Sequence, residues 1–568
     1  MELNKLNKHN IKIDNIYWER IQLYIEGHTL GLDIDDGEFF LKDVYTNKIF
    51  KPNEFKFLEK GVFRLRFNIA ISDDGSYLPS GHFNIIFKND IEYTANLSEK
   101  LLDPVSYDMN DESRGKYELI INENDKINFL LNNFTHVFTK INQTKEIVYR
   151  VVPIISGRSN KLILKVEFSN PNKILKMINE KIKSLKNPYK NISYEMRRVI
   201  FNSIFIMSKT INKKNSDTVL FTSDSRGNRT GNIKYIYEEM MKQGLDKKYN
   251  LHEMYKSNVS LRRSKIDKFL FPYLLGKADY IFLDDYHPLL YHLNFRKNQE
   301  IIQLWHAVGS FKTVGYSRTG MQDGPFFNSV NHRNYTKVYV CSEKDVPNYA
   351  EAFGILESKI YPLGIPRTDM FFDDHYKKIA IQKVQKSYPV LKNKNIILYA
   401  PTFRGSGHYT AYYPYEMLDF EKLAKYCSET NSIILIKMHP FVRKGIVIPE
   451  IYKEYFIDIS KYREINDFLL VADILISDYS SLIYEFAILK KPMLFYAFDL
   501  EEYSLNRGFY EPYNEFVPGK VVNTFEELID SLYRNDFEQE KLTRFLKKSF
   551  NYLDGKSSER IVKHIFKT

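Results

Sequence analysis

Two histidines stand directly after apolar runs, His306 after Ile301 to Trp305 and His439 after Ile433 to Met438. An imidazole at the carboxyl end of a buried strand can work as a general base facing a cleft. His306 opens the segment His306-Ala307-Val308-Gly309-Ser310-Phe311-Lys312, whose small residues let backbone N–H groups approach an anion. Lys437 precedes the second histidine, and Pro440 follows it, ending any ladder and holding the ring at the strand end. Asp478, Ser480 and Ser481 lead into a helix whose first N–H groups and positive dipole end suit a phosphate. Glu485, one turn inside, could accept from ribose or polyol hydroxyls. Arg367 in Gly364-Ile365-Pro366-Arg367, and Thr402 and Arg404 in Ala400-Pro401-Thr402-Phe403-Arg404-Gly405, add guanidinium groups suited to bidentate pairing with phosphate. Each has a plainer alternative: a packed histidine, an N-cap serine, a solvated carboxylate or arginine. Four cationic or hydroxyl-rich loops at strand ends together point to phosphoryl chemistry.

Metal ligation is the rival use of the histidines, but neither has a second His, Cys or carboxylate at ligand spacing. Asp284-Asp285 and Asp373-Asp374 are isolated acidic pairs with little claim to a metal. No metal or cofactor is expected. The sequence lacks G-x-x-x-x-G-K-[ST] and a strand-linked G-x-G-x-x-G, which disfavours a P-loop NTPase or a nicotinamide enzyme.

The elements that must carry these loops change in texture along the chain. Before residue 170 the pattern has period two, as in Ile21, Leu23, Ile25 and in Phe63, Leu65, Phe67, Ile69, Ile71, with turns such as Asp73-Asp74-Gly75. That pattern predicts an antiparallel β-sandwich or barrel over residues 10–169. His28, His82 and His136 there are scattered and form no catalytic pattern. After Asp217, short continuous apolar runs alternate with helical stretches, which predicts parallel sheets covered on both faces. Strands are expected at 219–222, 280–283, 301–305, 338–340, 396–400, 433–438, 474–477 and 493–496. The fold class is therefore α/β, with two doubly wound Rossmann-like domains preceded by an all-β domain. The divisions are 1–170, a basic linker at 171–215, 216–380 on the acceptor side, and 381–568 on the donor side.

The chain has 568 residues, 43% of them hydrophobic, with 82 Lys plus Arg against 71 Asp plus Glu; this is a globular composition that excludes disorder. Two cysteines cannot build a disulfide framework, so a reducing compartment is expected. The first ten residues carry no apolar signal region, and no run reaches the length of a membrane span. Between Lys173 and Lys214 lie eleven basic and two acidic residues, so most of the net charge of +11 sits there. Pro171 to Lys186 reads as an amphipathic basic helix, able to lie on an anionic membrane, to bind a polyanion, or to pack its apolar stripe on a neighbouring domain.

Read together, Trp305-His306-Ala307-Val308-Gly309-Ser310, Tyr399-Ala400-Pro401-Thr402-Phe403-Arg404, Lys437-Met438-His439-Pro440 and Ser477-Asp478-Tyr479-Ser480-Ser481 resemble the CDP-glycerol glycerophosphotransferase family, the teichoic acid primases and polymerases of Gram-positive bacteria. The resemblance covers about residues 215–565 and implies a GT-B fold at the inner face of the cell membrane, held there peripherally. It also implies a CDP-alcohol donor and a lipid-linked (undecaprenyl) teichoic acid acceptor, with CMP released; nucleic acid is not among the partners. By the same resemblance His306 would deprotonate the acceptor hydroxyl, while His439, Arg367 and the Ser480-Ser481 helix start would hold the pyrophosphate. Ala-Val-Gly-Ser after His306 departs from the family's commoner pattern. The β-rich domain and basic linker look like those of ribitol-phosphate polymerising members, which favours CDP-ribitol over CDP-glycerol. Two other readings remain: a GT-B nucleotide-sugar glycosyltransferase or epimerase, and a non-catalytic binder of anionic polymers.

Overall fold

The computed structural model describes residues 10–32, 37–72, 75–142, 145–156, 161–170, 188–212, 216–321, 323–405, 410–462 and 465–567. The expected basic helix Pro171 to Lys186 lies outside these residues.

The amino-terminal region is one twelve-stranded sheet, antiparallel except where Asn10–Glu19 meets Asn96–Leu97. Period-two alternation places Phe63, Leu65 and Phe67 inward, each with no exposed surface. Strand Glu38–Asp43 lies near one end of the sheet and Val62–Asn68 near the other, yet Phe39 and Phe63 meet with ring centroids 4.4 Å apart. The sheet therefore curls until its ends face each other across an aromatic core. Helices Glu99–Leu102, Asp111–Glu118 and Glu123–Leu131 are inserted in it, which the sequence reading did not anticipate.

The remainder contains two six-stranded parallel sheets. In space the first runs Asn250–Tyr255, Thr218–Ser223, Tyr280–Leu283, Glu300–Gln303, Lys337–Tyr339, Ile360–Tyr361. The second runs Phe456–Asp458, Ser432–Ile436, Asn395–Ala400, Ile474–Ser477, Met493–Tyr496, Lys520–Val522. Strand order reverses beside Thr218–Ser223 in the first and beside Asn395–Ala400 in the second. Crevices thus open outside Ser223 and Leu283, and outside Ala400 and Ser477. The last helix, Ser557–Phe566, returns to the first lobe, where Ile561, Val562, Ile565 and Phe566 pack with Val219, Phe221 and Phe282.

The β-rich region is docked on the first lobe by both apolar and charged contacts. Phe326 and Phe327 enter its core, with Phe327 4.2 Å from the Tyr149 ring. Arg20 pairs with Glu351 at 2.6 Å, Arg66 with Glu357 at 2.7 Å, and Arg333 donates to the carbonyls of Ala70 and Gly75 at 2.7 Å each.

Two buried histidines make this block acid-sensitive. Burial pushes His332 down to about 3, against the pull of Asp285, and His287 down to about 4, against that of Asp224. An unfolded histidine takes up its proton near pH 6.5, where these do not. Stability is thus present above that value and is lost as pH falls from about 6.5 towards 4. Urea midpoints are expected to drop across this interval, and in His332→Gln protein the drop should shrink.

Candidate functional site

His306 is carried out of the first sheet by a strained turn. Its strand ends at Gln303, and Trp305 adopts φ 47°, a left-handed conformation that costs a bulky residue roughly 1–3 kcal/mol. The surrounding contacts over-determine it. Trp305 N–H donates to Gln303 Oε1 at 2.8 Å, and Asn232 Nδ2 donates to the carbonyls of Leu304 and Trp305 at 3.1 and 2.5 Å. Arg367 Nη1 donates to the next carbonyl, that of His306, at 2.5 Å. Three successive carbonyls are gripped, and the His306 side chain is left 46% exposed.

The partner of His306 is Asp285, with Nδ1 and Oδ1 3.3 Å apart. The reading of Asp284-Asp285 as an isolated acidic pair is corrected here: Asp285 orients the histidine, and Asp284 pairs with Arg226 at 2.9 Å. Burial raises the Asp285 carboxyl, but the nearby His306 ring and hydrogen bonds from His306, the Tyr286 N–H and Ser225 together outweigh it. The group is held below the usual carboxylate range. An ionised carboxylate on Nδ1 keeps the proton there and turns the Nε2 lone pair outward, the tautomer a general base needs.

The loop after His306 helps form the joint between lobes. Val308 and Phe311 are buried in a core shared with Ile483, Tyr484 and Phe516 of the second lobe. A Cβ on Gly309 would sit 2.1 Å from the Tyr484 ring, so only glycine permits this approach. Ser310 donates through N and Oγ to Asp345 Oδ1 at 2.9 and 2.6 Å. Lys312 bridges to Phe509 through its backbone and donates to Tyr503 Oη at 3.3 Å. Ala307 is half-buried against the first lobe's own core.

Most of the expected phosphate cations have other tasks. Arg404 is buried and forks onto Asp499 at 2.5 and 2.8 Å, while Nη1 reaches Asp478 at 2.9 Å. Asp478 also accepts from Thr402 N and Oγ1 at 2.7 and 2.9 Å, so Thr402, Arg404 and Asp478 lock the loop after Ala400. Lys437 donates to the carbonyls of Ser460, at 3.0 Å, and Tyr462. Arg367 pairs with Glu485 Oε1 across the joint, and Glu485 is 2% exposed. Arg367 and Arg404 are thus neutralised by carboxylates, while Lys437 is tied to backbone carbonyls.

His439 is half-buried against Phe403, with centroids 4.7 Å apart, and Phe441 at 4.6 Å. Its Nδ1 accepts from the Phe441 N–H at 3.2 Å, so the neutral ring carries its proton on Nε2. Its tautomer is thus opposite to that of His306: one ring offers a lone pair, the other a donor. Ser480 and Ser481 stay half-buried at the start of helix Leu482–Ile488, and Ser480 Oγ accepts from Leu482 N at 3.3 Å. Among the described residues, no group of three or more His, Cys, Asp or Glu is placed to hold a metal ion.

Sequence reasoning missed Asp285, Asn232, Gln303, Asp345 and Asp499. A signal existed for the first. In neighbouring parallel strands Leu283 aligns with Gln303, so residue 285 faces the exit of residue 305.

The chain matches CDP-Glycerol:Poly(glycerophosphate) glycerophosphotransferase over residues 204–567 and belongs to that family. It is 49% identical over 559 residues to the teichoic acid ribitol-phosphate polymerase TarL of Staphylococcus aureus, covering 98% of this chain and 99% of that one. To the ribitol-phosphate polymerase TarK of the same organism it is 48% identical over 510 residues, covering 90% and 99%. In fold it is similar to the wall teichoic acid polymerase TagF, with TM-score 0.54 and 24% identity over 69% of this chain and 98% of that one.

Proposed function

We propose that this chain polymerises polyol phosphate, with ribitol phosphate as the unit, from a CDP-alcohol onto a lipid-linked teichoic acid chain. The observation that carries the chemistry is the His306–Asp285 pair at the mouth of the first crevice. His306 Nε2 takes the proton of the acceptor's terminal hydroxyl, and that oxygen attacks the phosphorus bearing the polyol. The bond from that phosphorus to the bridging oxygen breaks, and CMP leaves with the electron pair. The Nε2–H of His439 and the hydroxyls of Ser480 and Ser481 meet the departing phosphate. Arg367, paired with Glu485 and bonded to the His306 carbonyl, positions the base at the joint. We read the two lobes as a GT-B arrangement, a reading supported by the two parallel sheets and by the last helix returning to the first lobe. Near-complete coverage of the ribitol-phosphate polymerase TarL at 49% identity supports ribitol. The test is CMP release from CDP-ribitol, CDP-glycerol and UDP-sugar controls with a primed lipid acceptor. Turnover with CDP-ribitol at least about tenfold above CDP-glycerol is expected; equal rates would remove the ribitol assignment, and turnover of UDP-sugars alone would replace the reaction class.

A peripheral site at the cytoplasmic face of the membrane completes the reading. No helix among the described residues is long and apolar enough to cross a membrane. Helix Pro188–Ile211, which continues the linker, exposes Met196, Val199, Ile200, Ile206 and Met207. It crosses Asp267–Lys277 closely at Gly276, where a Cβ would lie 2.6 Å from the Phe205 carbonyl. That neighbour adds exposed Ile266, Phe269 and Leu270 beside exposed Arg262, Lys265 and Lys268. An apolar surface edged with cations suits an anionic bilayer, each basic residue contributing about 1 kcal/mol. Combining Arg262→Glu, Lys265→Glu and Phe269→Ser is expected to reduce sedimentation with phosphatidylglycerol vesicles by at least about tenfold, with turnover on a soluble acceptor retained; unchanged sedimentation would refute this surface.

A further inference from the structure

A second cleft, of roughly 500 Å³, lies where the β-rich region meets the first lobe. Its outer wall is the hairpin of His136–Asn142 and Lys145–Ser156, which contributes Lys140 and Ile147. Its inner wall includes Tyr286, Asn328, Ser329, Asn331 and His332. Tyr286 directly follows Asp285, the partner of His306. The His332 ring lies 5.6 Å from Tyr286 and 6.0 Å from Trp305, and the Trp305 ring is 4.4 Å from His306. The buried His332 and Trp305 rings separate the cleft floor from His306, and the route to the exposed His306 runs along the surface past Tyr286, which lines the cleft and adjoins Asp285.

We infer that this cleft holds the terminal units of the growing polyol-phosphate chain, so that the β-rich region forms half of the acceptor site. The inference rests on the polyol-phosphate transfer reading and adds to it where the acceptor lies. Its lining fits that ligand better than a nucleobase or a lipid tail. Asn328, Ser329 and Asn331 offer both donors and acceptors, as a chain of vicinal hydroxyls requires. Lys140 supplies an ammonium group for a phosphodiester; its Nζ now donates to the Gly324 carbonyl at 2.8 Å. Asp323, at the same cleft, disfavours a cluster of phosphates and favours a hydroxyl-bearing end with one phosphate near Lys140. The wall is held firmly: the Ser329 carbonyl accepts from Tyr316 Oη at 2.6 Å and Arg333 Nε at 3.0 Å. A donor seated at the second lobe and an acceptor leading from this cleft past Tyr286 would meet at His306.

The test uses the full chain, CDP-ribitol and a soluble oligo(ribitol phosphate) acceptor. Asn328→Trp fills the cleft from an exposed position, and Lys140→Gln removes its cation. Both are expected to raise the acceptor KM by about tenfold or more, with the donor KM within about twofold and shorter products at fixed time. Acceptor KM at the wild-type value in both folded variants, or a donor KM that rises in parallel, would overturn the acceptor cleft. If Asn328→Trp fails to fold by circular dichroism, Lys140→Gln alone decides. Absence of CMP release by the wild-type protein with any acceptor would instead defeat the transfer reading on which this inference rests.

Discussion

Replacing His306 with alanine is expected to lower the turnover number for CMP release by about 100- to 10,000-fold at saturating donor and acceptor, the range a positioned general base contributes. Asp285→Asn should reproduce much of that loss, because a carboxamide can donate to Nδ1 and place the imidazole proton on Nε2, where a lone pair is needed. Neither change touches the seam formed by Val308, Phe311 and Tyr484, so the melting temperature should move little. The decisive measurement is steady-state kinetics with both substrates varied. In Asp285→Asn the turnover number falls while both KM values stay near wild type, and Asp285→Glu recovers part of the loss. Turnover within threefold of wild type in His306→Ala would show that the proton leaves by another route and would return this histidine to a packing role.

Arg404→Met is expected to be the most destabilising single change in the second lobe. The guanidinium lies between Asp478 and Asp499 and is flanked by the Tyr413, Tyr479, Phe498 and Tyr503 rings. Removing one member of a buried ion pair costs about 3–5 kcal/mol, because the remaining carboxylates keep their hydrogen bonds but lose the counter-charge that offset their desolvation. For a lobe of this size that corresponds to a melting temperature lower by roughly 6–20 °C. Adding Asp499→Asn to Arg404→Met should restore part of the loss, since one orphaned charge is then removed. Differential scanning calorimetry of the two variants checks this. A melting temperature unchanged within about 2 °C would mean that the arginine is not needed by the loop and is available to a ligand.

How much of this was legible beforehand depends on burial. All eight expected strands of the parallel sheets are present, within one or two residues at most ends, because a strand covered on both faces must be apolar at every position. Four strands were missed: Asn250–Tyr255, Ile360–Tyr361, Phe456–Asp458 and Lys520–Val522. All four are sheet edges. Three of them have only two or three residues, and Asn250–Tyr255 is partly wetted along most of its length, so nothing in their composition separates them from loops. The helices inserted at residues 99–131 were missed for a related reason: Asp111–Glu118 buries none of its residues and shows no apolar stripe.

The two histidines could be picked out because each directly follows an apolar strand, and strand ends in parallel sheets open onto crevices. What each side chain can do was settled by residues far away in sequence. Asp285 selects the basic tautomer of His306, Asn232 and Arg367 hold its strained turn, and Asp478 with Asp499 occupies an arginine that looked free for phosphate. Local sequence determines the periodicity, and hence which segments are buried and where they end. Whether a charge at such an end remains open to a ligand depends on the carboxylates and carbonyls that the fold brings within 3 Å or so, and that proximity comes only from tertiary packing.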